Sequence, residues 1–158
     1  MTVSPAVHDQ IARRLGVLDQ RYTPLRRALV ESMAGAGRPL TIPEILQSNP
    51  RLSQSSAYRN VTALIEAGAV RRITGADDHG RFELAEELSG PHHHHLVCGT
   101  CGKVADVRFP SRLERALHEA AQAAAREQHF ATAEHRFDLV GVCADCRDSS
   151  GRPKRGQA

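Results

Sequence analysis

His92-His93-His94-His95-Leu96-Val97-Cys98-Gly99-Thr100-Cys101-Gly102, answered about forty residues later by Cys143-Ala144-Asp145-Cys146, decides how this chain is read. Each cysteine pair is a C-x-x-C knuckle, a spacing that lets both sulfurs reach one ion, and two knuckles complete a tetrahedral shell of four thiolates. Such a shell has no open position for water, so Cys98, Cys101, Cys143 and Cys146 are expected to hold a structural zinc ion. Gly102 permits the tight backbone that follows the first knuckle. Two redox-active pairs are the rival reading, but each knuckle would then need a thioredoxin-like setting that the sequence lacks.

The histidine run is internal and leads straight into a strand pattern. Side chains alternate faces along a strand. His92 and His94 therefore form one ligand pair, and His93 and His95 another. Each pair needs carboxylates or a further imidazole to close its shell, and Asp106, Glu83, Glu114 and His135 are the candidates placed by element. A mixed imidazole and carboxylate set suits zinc, iron, manganese, cobalt or nickel about equally.

Upstream of this stretch the chain has a different character. Residues 1–76 carry ten arginines against five acids, residues 77–91 carry five acids against Arg81, and the formal net charge is +3 overall. An arginine-rich block beside a compact acidic segment predicts a nucleic-acid-facing module next to a cation site. Apolar periodicity predicts helices at 4–15 and 24–36, the latter with Thr23 as cap and Pro24 in its first turn. A third helix starts at Thr41, and Ser53 caps a fourth at 54–67 with Ala57, Val61, Leu64 and Ile65 inward. Residues 70–73 and 81–84 flank a turn-rich loop and read as a two-stranded wing. The sum is a winged helix. Its fourth helix presents Ser55, Ser56, Tyr58 and Arg59, side chains that bond phosphates or base edges.

Downstream, 92–97, 103–109 and 135–142 suit strands, and Pro110 opens an alanine-rich helix running to about His129. In that helix Leu113, Leu117 and Ala120, Ala121 and Ala124 form a narrow stripe suited to close packing. The fold class is α+β: a winged-helix domain at 1–85, a hinge at 86–91, a zinc-stabilised α/β dimerisation domain at 92–147, and a polar, basic tail at 148–158 expected to be disordered.

Taken together, RYTPLRRALVESM, SSAYRNVTALIEAGAV, RFEL, HHHHLVCGTCGKVADV and HRFDLVGVCADC resemble the ferric uptake regulator family over about Arg21 to Arg147. The resemblance implies a homodimer that binds a palindromic double-stranded DNA operator and represses transcription when loaded with metal. It implies a regulatory site at the hinge made by Glu83, His93, His95 and Asp106. It implies an additional site from His92, His94, Glu114 and His135, with Glu114 matched after a one-residue shift. Arg21 falls where relatives carry a basic residue for the minor groove, and Tyr58 with Arg59 matches the base-contacting pair.

Two departures bear on the regulatory ion, for which zinc and iron lead. Iron and peroxide sensors of the family usually add a histidine ahead of the third helix, where this chain has Pro39. Zinc sensors often place an aspartate after the recognition helix, where this chain has Arg71. His79, in the wing, is a candidate substitute ligand. Within the family, a peroxide sensor or a nickel or manganese sensor is the alternative; outside it, a zinc-dependent hydrolase using a His/carboxylate site. No apolar run is long enough for a bilayer and no signal sequence opens the chain, so a cytoplasmic, non-membrane protein is expected. With no deep-pocket pattern or dedicated nucleophile, it is not expected to be an enzyme.

Overall fold

The computed structural model describes residues 3–74, 79–131 and 135–148. Four helices open the chain, and local chemistry sets each start. Ser4 caps α1 (Pro5–Val17), Thr23 caps α2 (Pro24–Ala36) and Ser53 caps α4 (Gln54–Glu66), each accepting from a backbone amide in the first turn. Between α2 and α4, β1 (Leu40–Thr41) runs directly into α3 (Ile42–Ser48). Here Thr41 and Glu44 form a reciprocal capping box, which satisfies two otherwise orphaned donors. Gly37 ends α2 at φ 63° and Gly68 follows α4 at φ 63°, left-handed positions that a β-carbon would strain.

The wing is β2 (Val70–Thr74) and β3 (Gly80–Leu84), paired antiparallel. Sequence patterning predicts these two strands alone. The structure adds β1 on the other side of β3, so the sheet order is β1-β3-β2. A two-residue strand carries no periodicity, which is why it is silent in the sequence. The loop reading for 75–78 lies outside the described residues.

Ile11, Leu15, Leu29, Val30, Met33, Ile45, Val61 and Leu64 make one buried cluster with Phe82 and Leu84 of the wing. The expected inner face of α4 is correct at Ala57, Val61 and Leu64, while Ile65 is only partly covered. His8 is buried in this half, with Nδ1 2.8 Å from the Tyr22 hydroxyl and Nε2 2.8 Å from Glu31.

The segment expected to be a plain hinge contains a short helix, α5 (Glu86–Ser89). Then come β4 (His94–Cys98), β5 (Val104–Val107), α6 (Ser111–Glu127) and β6 (Asp138–Gly141). The order β5-β4-β6 puts β4 in the middle, antiparallel to β5 and parallel to β6. These strands are shorter than their sequence patterns suggest. His92 and His93 precede β4, and His135 with Phe137 precedes β6. The α6 stripe is only partly covered within the chain: Leu117 and Ala121 are half-buried, Ala120 and Ala124 are exposed, and Leu113 stays 43% exposed. Ala125, outside the stripe, is the buried residue of the helix, and the apolar cluster here is Ile73, Val97 and Val104. Residues 149–158, nearly all of the tail, lie outside the described residues. No helix among the described residues is long and apolar enough to cross a membrane.

Candidate metal centres and nucleic-acid interface

The two knuckles meet because β4 and β6 run parallel in register, with Cys98 opposite Gly141. Gly99 N–H donates to the Gly141 carbonyl at 2.8 Å, and the Cys143 amide donates to the Cys98 sulfur at 3.3 Å. One ligand atom from each of Cys98, Cys101, Cys143 and Cys146 lies within 4.8 Å of the other three, and all four cysteines are free thiols. Burial opposes ionisation of Cys98, but the amides of Cys143, Cys101 and Thr100 outweigh it and draw the thiol down to about 6. Hydrogen bonding with the Cys101 sulfur, together with burial, pushes Cys146 up to about 12. Four such sulfurs cannot all be thiolates unless a cation stands among them, so this donor set fits a divalent ion.

The second cluster is built around Glu114, in the first turn of α6. Its carboxylate receives His94 Nε2 at 3.0 Å, with His92 Nε2 and His135 Nε2 each at 3.6 Å. His92 Nε2 and His135 Nε2 are buried and have no hydrogen-bond partner. Burial of such atoms without a partner is costly, and an ion at this point satisfies both. Across the His92 ring, Nδ1 donates to Glu86 at 2.8 Å, which holds the ring with Nε2 inward. His94 is stacked on Phe109, with ring centroids 4.6 Å apart.

The third cluster joins the wing to the second sheet. Glu83 comes from β3, His95 from β4 and Asp106 from β5, with His93 just ahead of β4. Glu83 Oε2 stands 3.4 Å from His93 Nε2 and 3.3 Å from His95 Nε2, and the four ligand atoms fall within 4.8 Å. Register explains the convergence, since His95 lies opposite Asp106 on one side and Asp138 on the other. Asp138 Oδ1 is 3.3 Å from His95 Nδ1, again leaving Nε2 to face the centre. Burial acts against the charge on Glu83, yet His95 and Arg71 hold its carboxyl below the ordinary range. Burial likewise acts to lower His95, but Glu83 and Asp138 raise it overall.

The pairing rule drawn from strand alternation thus describes the geometry: His92 with His94, and His93 with His95. Sequence reasoning misses Glu86 and Asp138, which anchor rings rather than close shells, and a carboxylate of that kind has no spacing signature. It also misses the partner of Arg71, which is Glu83 Oε1 at 2.7 Å. His79 is not among the three clusters. It lines a cavity with Tyr58, Arg72 and Phe82 between α3, α4 and the wing.

On α4, Ser55, Tyr58 and Arg59 are exposed, Tyr58 at 50%. Ser56 is partly covered, and its hydroxyl lies 3.3 Å from Asn60 Nδ2. Arg21 is exposed in the loop between α1 and α2. Arg26, which no motif singles out, ties these parts together. Its guanidinium donates to the Arg21 carbonyl at 2.7 Å, to Gln20 at 2.8 Å and to Asn60 of α4 at 3.1 Å.

The peroxide-responsive repressor PerR of Staphylococcus saprophyticus is 29% identical over 153 residues, covering 93% of this chain and 95% of the relative. The Staphylococcus aureus PerR is 29% identical over 140 residues, with 86% of each chain covered. Among solved structures, the ferric uptake regulator of Helicobacter pylori matches with a TM-score of 0.71 at 18% identity, over 94% of this chain and 98% of that one. The Pseudomonas aeruginosa regulator, solved with manganese, matches at 0.67 and 22% over 87% and 98%. At these identities the two structures speak for the fold alone. The model of the ferric uptake regulator family matches residues 18–140, from the loop after α1 into β6, which take in the two His/carboxylate clusters and the first cysteine knuckle and stop short of Cys143 and Cys146, and the chain belongs to that family.

Proposed function

We propose that this chain is a dimeric, metal-dependent transcriptional repressor whose winged helix binds a palindromic DNA operator when an ion fills the hinge cluster. The observation that carries this is the location of Glu83. It sits on the wing strand β3, while the other three donors belong to the second sheet or the segment just before it. An ion held there ties the DNA-binding lobe to the rest of the molecule. In a dimer, two recognition helices must sit about one helical turn of DNA apart, or a multiple of it. Fixing that spacing raises operator affinity only by as much as the ion prefers the fixed arrangement, on the order of 1–3 kcal/mol.

In this reading Cys98, Cys101, Cys143 and Cys146 hold structural zinc. His92, His94, Glu114 and His135 hold a further ion, and the hinge takes zinc or iron. Exposed Ser55, Tyr58 and Arg59 contact DNA, with Ser56 behind them and Arg21 at the neighbouring loop. Leu96, Leu113, Phe130, Phe137 and Val140, all more than 40% exposed in one chain, supply the surface that a second copy covers. The hydrolase alternative has no support: the relatives are regulators, and the family is one of transcription factors.

The test is a titration of operator binding with zinc, iron, manganese and nickel, with ions counted per chain, on the wild type and on His93→Ala/His95→Ala. The double variant is expected to keep its dimer and its thiolate-bound ion and lose the metal response. Operator binding that is equally tight after all removable metal is stripped overturns the proposal. A peroxide sensor is the second reading, favoured by the similarity to PerR. It predicts that hydrogen peroxide releases the iron-loaded protein from DNA and leaves the zinc-loaded protein bound.

A further inference from the structure

The wing ladder sets Arg71 of β2 directly opposite Glu83 of β3. Arg71 Nη2 donates to Glu83 Oε1 at 2.7 Å, and the other oxygen of that carboxylate faces His93 and His95. The same Nη2 lies 3.4 Å from Glu86 Oε1. Both members of the main pair are close to buried, with 11% and 10% of their side chains exposed. A guanidinium keeps its charge at any pH the fold survives. One carboxylate therefore separates a permanent, poorly solvated cation from the centre of the hinge cluster.

We propose that Arg71 sets the affinity of the hinge site, weakening its hold on a divalent cation and so raising the ion concentration at which the site fills. This rests on the hinge reading given above. Arg71 has two opposed effects on an ion at Glu83 Oε2. As a hydrogen-bond donor it fixes the carboxylate, and losing such a support typically costs about tenfold to a hundredfold in metal affinity. As a positive charge it repels the ion through a partly desolvated path, where like charges this close interact strongly. The repulsion dominates, because Glu83 is also fixed by its place inside the wing ladder, between Phe82 and Leu84. Glu86 offsets only part of the charge, since its Oε2 is committed to His92 Nδ1 and its Oε1 also lies 3.3 Å from the His93 amide.

Two substitutions separate the effects. Arg71→Gln keeps an N–H donor and removes the charge; Arg71→Lys keeps the charge and removes the planar fork. Cobalt(II) is titrated into the full chain, thiolate site already filled, in competition with a chelator and followed by absorption. The hinge contribution is the part of the signal that His93→Ala/His95→Ala abolishes. Arg71→Gln is expected to bind hinge cobalt at least about tenfold more tightly, and Arg71→Lys to stay within about threefold of wild type. Equal or weaker binding by Arg71→Gln overturns the proposal, as does equal tightening by both variants. If Arg71→Gln does not fold, Arg71→Met, which loses the donor as well as the charge, is expected to tighten hinge cobalt by a smaller factor. Equal or weaker binding by Arg71→Met then overturns the proposal, as does equal tightening by Arg71→Lys. A wild type with no cobalt signal dependent on His93 and His95 is a separate result, one that fails the hinge reading and this proposal with it.

Discussion

The two halves of this molecule are held by different forces. From Ile11 to Leu88, a single buried cluster joins all four helices to the wing. From His92 onward, the apolar cluster shrinks to Val97 and Val104 with Ile73 of the wing, while twelve His, Cys, Asp and Glu donors, counting Glu83, gather into three tight sets. A small sheet with so little apolar burial has little to set against chain entropy. The C-terminal half therefore has little apolar core of its own and, in the function proposed above, takes its stability from ions and a second copy, whereas the N-terminal half carries its own core. On the proposed function a metal-responsive switch needs that asymmetry: the DNA-binding lobe would stay folded whatever the metal supply.

Removing the ion proposed for the four-cysteine site is the harshest way to break this comparison. Structural zinc contributes on the order of 10–16 kcal/mol in small metal-dependent domains. Cys98→Ser, or a strong chelator at neutral pH, is expected to abolish amide protection in β4–β6 and dissolve the dimer, while amides of α2 and α4 stay protected. Hydrogen exchange with mass spectrometry reads both halves at once. Simultaneous loss of protection in both would show that the N-terminal core leans on the ion too.

The converse experiment deletes core and spares the ions. Leu64 is fully buried between α4 and its neighbours. Leu64→Ala is expected to cost roughly 2–5 kcal/mol, seen as a lower melting temperature of the winged helix with unchanged ion content per chain. Loss of zinc from that variant would contradict the division of labour.

Arg59→Ala tests the exposed face of the same helix, at a smaller scale. It is expected to cost about 1–3 kcal/mol in operator binding if the guanidinium contacts a base edge, with little effect on non-specific DNA. Equal losses on both would make Arg59 a phosphate contact. Melting temperature should not move, since Arg59 is exposed.

How much of this is legible in the sequence follows the same divide. Three helix starts in the N-terminal half are readable because Thr23, Thr41 and Ser53 act locally, within one turn of their own position, whereas Ser4, read as part of the first helix, is its cap. The pairing of histidines by parity is readable because strand alternation is local as well. Which carboxylate closes which shell does not follow from spacing: Glu83 to His95 and His94 to Glu114 are fixed by sheet register and by where α6 returns, and only the family resemblance assigns them. Arg71 opposite Glu83, Asp138 opposite His95, and Arg26 reaching Asn60 are cross-element contacts with no sequence period, so they stay hidden. The α6 stripe is visible as a pattern, but the sequence does not say what it packs on, and Leu113, Ala120 and Ala124 stay exposed in this chain.

The gentlest probe of the comparison concerns a cap rather than a core. Glu44 closes the Thr41 box, with its Oε2 2.7 Å from the Thr41 amide, and Oε1 takes a 2.7 Å bond from Arg38. Burial works against its charge, but Arg38 and Thr41 more than compensate, drawing the carboxyl down to about 2. A carboxyl depressed in the folded state stabilises above its unfolded pKa, and that contribution fades as pH falls toward the folded value. Glu44→Gln is thus expected to destabilise the winged helix by about 1 kcal/mol at neutral pH. The gap to wild type should narrow from about pH 4.5 downward and nearly close by about pH 2. Acid releases ions from cysteine and histidine over the same range, so the comparison must be made between the two proteins at each pH. Because α3 sits in the half that carries its own core, the Glu44 difference should be the same with the thiolate site filled or stripped at neutral pH. A Glu44 effect that changes with ion content would mean the capping box feels the metal through β1 and β3, and the two halves would then be less independent than their cores suggest.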